Sequence, residues 1–522
     1  MHTFVPLAWG SRLKYLDWFV LCLYFLLMLG VGIWARTKVK TASDFFTAGG
    51  KMPWWLAGIS HHMSGYSSAV FVGYAAIAYV SGVTVYVWWA CSISLALFMG
   101  ASTFAPRWSR MRLQHRVISP LEYLAVRYNL ATQQLLAWSG SLLKIFDVGA
   151  KWSASAVLLH VFAGVPIAYG VLLTGGVTLV YSVFGGLWAD ALTDLSQFAI
   201  QLIAGFAMLV AVLHRLGGVA SLWTVWHQLP PQNSRPFTGS YTPLFAIAFF
   251  CINLLSYNGG TWNLAQRFIA APSPADAKRS ALLSSALYLV WPVVLFFPMW
   301  AAPLIFPHLA DPSQSYAMLT ETLLPPGLIG LVLAGLFAHT MAMTSSDANA
   351  IAAVVVRDII PALRKDRSRP SDHVQLRMGR ICTFSFLALS MGIAFLAGHF
   401  GGVIGLLILW YAALVGPIAI PMMLGMLLSF RRSGPLAAIS SWLAGVIAFG
   451  LLKLYPPDQW LPAGSRLGMA IMVGVPITSS FFAYFIVGII WPQKRKNTDL
   501  FLAALASNSI QSSETLSSIS ES

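Results

Sequence analysis

Long apolar segments recur along the 522-residue chain and are separated by short polar stretches. Most contain about twenty residues or more, the length that a helix needs to cross the hydrocarbon core of a bilayer. The pattern therefore predicts an all-α polytopic membrane protein with about thirteen transmembrane helices. The predicted spans are 14–36, 53–80, 83–104, 131–163, 166–184, 188–213, 241–262, 281–306, 326–356, 380–398, 401–429, 435–454 and 468–491.

The second span carries the most unusual pattern, PWWLAGISHHMSGYSSAVFVGYAAIAYVSG. His61, His62 and the polar run 64–68 interrupt it where an apolar helix should continue. Polar groups at membrane depth are costly and face a bundle interior, a cavity or a partner. Gly65 can relax the helix there, and a helix broken near the midplane is how many secondary transporters build a substrate and ion site. A polar contact between two helices, made by serine and glycine, is the alternative interpretation.

Composition supports the membrane class, because 57% of the residues are hydrophobic and 9% are charged, against roughly a quarter charged in soluble domains. The net charge of +15 does not indicate a nucleic-acid partner, since the basic residues lie between apolar spans. Most lysines and arginines, with Arg267 and Arg357 counted among them, fall in loops that are cytoplasmic when the N-terminus is outside. This bias predicts an external N-terminus and a cytoplasmic C-terminus.

The domain organisation follows from the same pattern. Residues 1–492 are expected to form a single transmembrane domain. Residues 493–522 are polar and serine-rich, and this composition predicts a disordered cytoplasmic tail.

Motifs for several other chemistries are missing from the sequence. It has no phosphate-binding loop of an ATP-driven pump, no HExxH and no GxSxG, so an enzyme is not expected. The four cysteines lack paired spacing, and no cofactor is expected apart from a coupling ion. Asp147 lies three residues after Lys144 and four before Lys151, so that either pair could share a helix face.

Four stretches stand out when they are taken together and in order. They are DFFTAGGKMPWWLAGIS (44–60), YSVFGGLWADALTDLSQ (181–197), NGGTWNLAQRFIAAPSPADAKRS (258–280) and GLFAHTMAMTSSDANAIAAVVVRDI (335–359). In order and spacing they resemble the sodium:solute symporter family. The resemblance implies a leucine-transporter-type inverted repeat of five plus five helices, with repeats at about 53–213 and 241–429. Substrate would bind between the broken first and sixth core helices.

The resemblance also implies a sodium site. Ser60 and Met63 would supply backbone carbonyls from the first core helix, and His339 would supply one from the eighth. Ala342 and Met343 stand where the family has two hydroxyls. Because a hard cation prefers oxygen ligands, this site is expected to be weakened.

Some members of the family have a second sodium site, and the matching residues here are Asp194, Ser345 and Ser346. All three have the side-chain chemistry that such a site needs. The alternative is that Asp194 lies at the cytoplasmic boundary and only caps a helix or forms an ion pair.

His62 departs from the family pattern, and together with His339 it suggests another coupling ion. His62 and His339 each lie beside an expected ion position, and Asp347 is an unusual carboxylate nearby. Histidine titrates near neutral pH, so these residues are candidates for proton coupling. Hydrogen bonds inside the bundle are the alternative role.

The expected substrate is a sugar-like solute, because aromatic faces with hydroxyls and amides suit polyhydroxyl molecules. A small organic acid is the alternative, since Lys144 and the histidines could receive a carboxylate. The candidate substrate-binding residues are His61, Tyr66, Ser67, Trp88, Asn253, Tyr257, Asn258 and Thr261.

The predicted protein is therefore a multi-pass symporter of the inner (plasma) membrane that imports a small polar solute with a cation, Na+. Its partners are the solute and the lipid bilayer. The alternatives are a proton-coupled or uncoupled carrier on the same scaffold and a membrane sensor that does not transport.

Overall fold

A computed structural model describes residues 13–364, 370–396, 415–493 and 496–506. All regular secondary structure within these ranges is helical, as the sequence predicts. The helices of the first half are α1 (Tyr15–Ala35), α2 (Ala42–Thr47), α3 (Trp54–Met63), α4 (Gly73–Ser81), α5 (Ser92–Thr103), α6 (Ala105–His115), α7 (Leu124–Arg127), α8 (Leu130–Ala163), α9 (Ile167–Arg215) and α10 (Ser221–Gln228). Those of the second half are α11 (Pro243–Leu255), α12 (Trp262–Ile269), α13 (Pro274–Ile305), α14 (Ser315–Leu323), α15 (Leu328–Val354), α16 (Ile360–Leu363), α17 (Asp372–Phe395), α18 (Gly416–Leu424), α19 (Pro435–Leu454), α20 (Gly468–Ile490) and α21 (Lys496–Ala506).

Ten helical stretches of the described residues are long and apolar enough to cross a membrane. One of them, α9, contains 49 residues and would be roughly 73 Å long as a straight helix, well beyond the thickness of a bilayer. It is divided at Gly186, so that it supplies both predicted spans 166–184 and 188–213. Residues 401–414 of the predicted span 401–429 lie outside the described residues, and the number thirteen stays a prediction.

The predicted interruption of the second span is confirmed. Helix α3 ends at Met63, residues 64–67 leave the helical path, and a short 3-10 turn at Ser68–Phe71 leads into α4. Gly65 is needed because a Cβ atom at this position would lie 1.8 Å from the hydroxyl oxygen of Tyr288 on α13. Close packing therefore fixes the position of the break.

A second interruption separates α11 from α12. A widened turn spans Ser256–Gly260 and is followed by Thr261 in an extended conformation. Gly259 has φ 122°, and a Cβ atom there would lie 2.4 Å from Nε1 of Trp108 on α6. These two broken segments occupy the positions that the resemblance assigns to the first and sixth core helices.

The core of the bundle is built around α15. This helix is buried along most of its length and packs against α1, α8, α9 and α17. It also brings a series of polar side chains, 344–347, into the protein interior. A long buried helix with interior polar residues positions the chemistry of the site.

The C-terminal segment corrects one prediction. Residues 496–506, expected to be disordered, form α21, which packs near α6 and α7. Phe501, Leu502 and Leu505 are buried, and the Arg110 guanidinium donates a hydrogen bond to the Leu505 carbonyl oxygen (2.7 Å). Three apolar residues on one side of this helix pack against the bundle, although the composition of the segment as a whole is polar. Residues 507–522 lie outside the described residues.

Replacing Gly186 with alanine should destabilise the fold. Gly186 has φ 51° and ψ −143°, and a Cβ atom there would lie 2.4 Å from the carbonyl oxygen of Phe45. We expect a cost of about 1–3 kcal/mol, seen as a lower thermal unfolding midpoint of the detergent-purified protein.

Gly176→Ala is the matched control, because its added Cβ atom would meet no heavy atom within 4 Å. Equal unfolding midpoints for the two variants would contradict the need for glycine at position 186.

Candidate functional site

The two broken helices satisfy each other's freed backbone groups. Tyr257 donates from its hydroxyl to the carbonyl oxygen of Gly65 (2.7 Å), and the Asn263 side-chain amide donates to that of Ser64 (3.2 Å). Tyr288 adds a third bond, from its hydroxyl to the carbonyl oxygen of His62 (3.0 Å). Because the membrane interior offers few other donors, these side chains stabilise the interruption.

His61 joins the two breaks through both ring nitrogens. Its Nε2 lies 3.0 Å from the carbonyl oxygen of Tyr257, and its Nδ1 lies 2.8 Å from Oγ of Ser284 on α13. Since a carbonyl oxygen only accepts, Nε2 carries the proton and Nδ1 accepts from the serine. His61, a candidate substrate-binding residue, is thus fully engaged in holding the helices together.

The other candidate substrate residues divide into two groups. Asn253 donates to Oγ of Ser92 (2.9 Å) and Asn258 to the carbonyl oxygen of Ala96 (2.9 Å), so both join α11 and the following turn to α5. Trp88 belongs to the same side, in an aromatic cluster with Tyr241, Phe245 and Phe249.

The second group lies at the first break. Tyr66 lies against the ring of His339 in a tilted arrangement, with 4.2 Å between ring centroids, and Ser67 is buried beside it in the chain. Tyr257 connects the groups through its bond to Gly65, while Thr261 is half-buried at the second break. The structure therefore arranges the candidates around both interruptions.

A buried ion-pair network lies at the cytoplasmic side of the first break under the predicted orientation. Arg267 of α12 pairs with Asp190 and lies 3.5 Å from Asp194, both on α9. The sequence prediction that Arg267 is a loop residue is wrong, because its side chain is fully buried. A charge in this position needs partners, since an isolated ion in a low-dielectric interior is very costly.

Four serine hydroxyls complete this network. Ser60 and Ser64 donate to Oδ2 of Asp194 at 2.5 Å and 3.3 Å, and they also accept from Arg267 at 3.1 Å and 2.9 Å. Ser345 and Ser346 of α15 donate to Asp190. The Oγ atoms of Ser64 and Ser346 lie 2.7 Å apart and connect the serines beside Asp194 to those beside Asp190.

This arrangement differs from the predicted second sodium site. Asp194, Ser345 and Ser346 do belong to one network, but the two serines bond Asp190 rather than Asp194. Oδ1 of Asp194 has no hydrogen-bond partner among the described residues, although it is buried. Asp190 could have been found from the sequence, because it precedes Asp194 by one helical turn.

The residues predicted for the first sodium site lie on α3 and α15. Ser60 uses its hydroxyl in the network above, and its carbonyl oxygen accepts from the Ser64 amide (2.9 Å). The carbonyl oxygen of Ala342 lies 3.1 Å from Oγ of Ser345 and 2.7 Å from Oγ of Ser346. Met63 is fully buried.

The histidines proposed for proton coupling belong to a buried aromatic group. Nε2 of His62 lies 3.2 Å from the hydroxyl of Tyr66, which also accepts from Gln201 (3.2 Å). Nδ1 of His62 and both ring nitrogens of His339 have no hydrogen-bond partner among the described residues. His339 also lines a small cavity with Gln201 and Tyr316.

A second charged group, the lysine–aspartate tetrad, joins α8 to α15. Lys144 lies 2.7 Å from Asp147 and 3.0 Å from Asp347, and Lys151 lies 2.6 Å and 2.8 Å from the same carboxylates. Both lysines share the helix face of Asp147, as their spacing allows. Asp347, a proton-coupling candidate, is thus neutralised by two ammonium groups.

Comparisons with known proteins agree with this architecture. A sequence model of the sodium:solute symporter family matches residues 45–445. The chain belongs to this family. The sodium/sialic acid symporter SiaT of Proteus mirabilis is 25% identical over 495 residues, which cover 90% of this chain and 96% of that protein. The sodium/glucose cotransporter of Vibrio parahaemolyticus is 26% identical over 424 residues, or 74% and 76% of the two chains.

Solved structures give the same fold for this member of the sodium:solute symporter family. The substrate-bound, outward-open structure of a Na+-coupled sialic acid symporter matches 92% of this chain and 100% of its own, with a TM-score of 0.79 and 22% identity. Mhp1, a nucleobase-cation-symport-1 family transporter, matches with a TM-score of 0.54 at 13% identity, covering 88% and 98%. The leucine-transporter-like fold is therefore confirmed, and the protein is a membrane transporter rather than an enzyme.

Removing the Arg267 charge should be strongly destabilising in this symporter. Arg267→Gln leaves Asp190 and Asp194 buried without their cation, so we expect a loss of about 3–5 kcal/mol. The thermal unfolding midpoint in detergent measures the loss.

Arg279→Gln is the control, because its ion pair with Asp276 is solvent-exposed and should contribute less than about 1 kcal/mol. Arg267→Gln combined with Asp190→Asn should recover part of the lost stability. A double variant no more stable than Arg267→Gln alone would contradict this pairing.

The lysine–aspartate tetrad should behave as one coupled unit. Lys151→Met removes one positive charge and should cost about 3–5 kcal/mol, whereas adding Asp347→Asn restores neutrality and should recover part of that loss. A double-mutant cycle of unfolding midpoints measures the coupling. Strictly additive effects of the two substitutions would mean that the residues act independently.

Proposed function

We propose that this protein imports a small polar solute together with Na+, and that Asp194 holds the coupling ion. One observation supports this assignment above the others. Oδ1 of Asp194 is buried and lacks a hydrogen-bond partner among the described residues, in a network that otherwise uses its polar atoms fully. A buried carboxylate oxygen of this kind is a ready ligand for a cation.

The charges of the network favour the same assignment. Asp190 and Asp194 carry two negative charges in their ionised forms, and Arg267 supplies one positive charge. One Na+ would make the group neutral. The hydroxyls of Ser60 and Ser64 already lie against Asp194 and offer further oxygen ligands, which hard cations prefer.

The side chains around the two breaks support a solute of the sugar or small organic acid class. Tyr66 lies against Trp89, with 5.4 Å between ring centroids, and Ser67 and Thr261 carry hydroxyls at the two breaks. Aromatic rings and hydroxyls of this kind suit a sugar. The relatives named above transport sialic acid and glucose, and their chemistry falls in the same range. We infer that the solute contacts both broken helices.

We also infer an external N-terminus and a cytoplasmic C-terminus in an inner membrane. The burial of Arg267, and of Arg357 in an ion pair with Glu122 (2.7 Å), removes two arginines from the loop charge. The remaining basic residues keep the bias, since Arg364, at the end of α16, and Arg377, near the start of α17, fall with others on the cytoplasmic side of this arrangement.

Proton coupling through His62 and His339 is the second candidate. Three buried ring nitrogens without hydrogen-bond partners among the described residues favour it, because they leave room for a proton or a polar ligand. Asp347 is less suited to this role, since its carboxylate is held by Lys144 and Lys151.

Uptake by the purified protein in liposomes tests the proposal. An inward Na+ gradient should drive uptake of a sugar or sugar acid found by a ligand screen, and Asp194→Asn should raise the half-saturating Na+ concentration at least about tenfold, since one charge-assisted ligand is lost.

Asp458→Asn, on the exposed surface, is the matched control and should keep the original sodium dependence. Unchanged sodium dependence in Asp194→Asn would contradict the assigned ion site. Uptake that follows a pH gradient without Na+, and that is lost in His339→Gln, would support proton coupling instead.

A further inference from the structure

A cavity of about 580 Å³ lies between the loop 428–433 and the C-terminal end of α20. Its apolar wall is formed by Leu428, Phe430, Phe485 and Ile489. Its polar wall carries Arg431 and Arg432, with two serine hydroxyls beside them. The cavity therefore combines adjacent apolar and cationic surfaces at one end of two membrane-crossing helices.

The two arginines of this cavity are exposed, and their guanidinium groups have no ion-pair or hydrogen-bond partner among the residues of the described ranges. Two other arginines, Arg112 and Arg127, are engaged by protein oxygens. Arg112 donates to the carbonyl oxygens of Ile269 and Ala271, and Arg127 donates to three carbonyl oxygens between residues 425 and 433. The adjacent guanidinium groups of Arg431 and Arg432 are therefore available to an anionic ligand.

The cavity wall is held in place before any ligand arrives. Arg127 donates to the carbonyl oxygens of Gly425 (2.7 Å), Phe430 (2.7 Å) and Ser433 (3.0 Å), which fixes the loop on α7. The hydroxyl oxygens of Tyr128 and Tyr484 lie 2.6 Å apart and tie α20 to the same region. Preorganisation of this kind lowers the conformational cost of binding.

The apolar wall continues onto the outer face of α20. Phe482, Phe485, Ile486 and Ile489 are exposed, as expected for side chains that meet acyl chains. A ligand in the cavity can therefore place an apolar part along α20 and an anionic part against Arg431 and Arg432. Free phosphate would contact only Arg431 and Arg432 and would leave the apolar face of α20 unused.

We propose that this cavity binds an anionic phospholipid. The phosphate ester of the headgroup accepts hydrogen bonds from Arg431 and Arg432, and the acyl chains follow the outer face of α20. Arginine forms strong, charge-assisted bonds with phosphate, and basic groups near the membrane surface attract anionic lipids. Charge complementarity and the adjoining apolar face together select a lipid rather than a soluble anion.

Native mass spectrometry of the detergent-purified full chain tests the proposal. The protein is titrated with phosphatidylglycerol or with phosphatidylcholine of identical acyl chains, and bound lipids are counted. Arg431→Gln with Arg432→Gln should weaken phosphatidylglycerol binding about thirtyfold, at about 1 kcal/mol for each arginine. Phosphatidylcholine binding should stay unchanged.

Lys278→Gln with Arg279→Gln is the matched control, because this adjacent exposed pair carries the same charge outside the cavity. Ser429→Trp, at an exposed position on the cavity wall, keeps both arginines and should also weaken phosphatidylglycerol binding by filling the space.

Equal losses of phosphatidylglycerol binding in both charge-removal variants would overturn the assigned site. They would mean that the lipid is attracted by the overall charge of the surface. Full binding in Ser429→Trp would also overturn the assigned cavity. Displacement of phosphatidylglycerol by inorganic phosphate at comparable concentration would mean that the site recognises phosphate alone and not a lipid.

Discussion

The buried guanidinium of Arg267 is the constraint on which the centre of this transporter depends. Its partners come from different parts of the chain, with Ser60 and Ser64 at the first break, Asp190 and Asp194 on α9, and Ser346 on α15. An ion in the membrane interior is tolerated only when such partners surround it. The positions of four helical segments are therefore linked through one side chain.

The fold was largely predictable, because apolar length predicts spans and the polar run around Gly65 predicts a break. The central network was less predictable. Hydropathy assigns Arg267 to a loop, since a charged residue near the end of an apolar segment looks the same whether it faces water or buried carboxylates. Local sequence also cannot say that Ser345 bonds Asp190 instead of Asp194, because both carboxylates share one helix face. Helix α21 is not predicted, because three buried apolar residues are a weak signal in a segment that is otherwise serine-rich and polar.

The two breaks differ from flexible hinges in that each is held by side chains from elsewhere. Tyr257 and Asn263 bond the carbonyls of the first break, while Trp108 of α6 donates to the carbonyl oxygen of Asn258 at the second (2.9 Å). Phe501 of α21 stacks on Tyr123, which in turn contacts Trp108. The interruption in α11–α12 is thus connected by packed aromatic rings to the last described helix of the chain.

The lysine–aspartate tetrad has an electrical consequence for transport across a polarised membrane. Moving one elementary charge through 100 mV involves about 2.3 kcal/mol, so any fixed charge that shifts during a transport cycle makes the rate depend on voltage. In the tetrad, two ammonium groups and two carboxylates lie within hydrogen-bonding distance, and their charges cancel. Helices α8 and α15 can therefore move with these four charges without responding to the membrane potential.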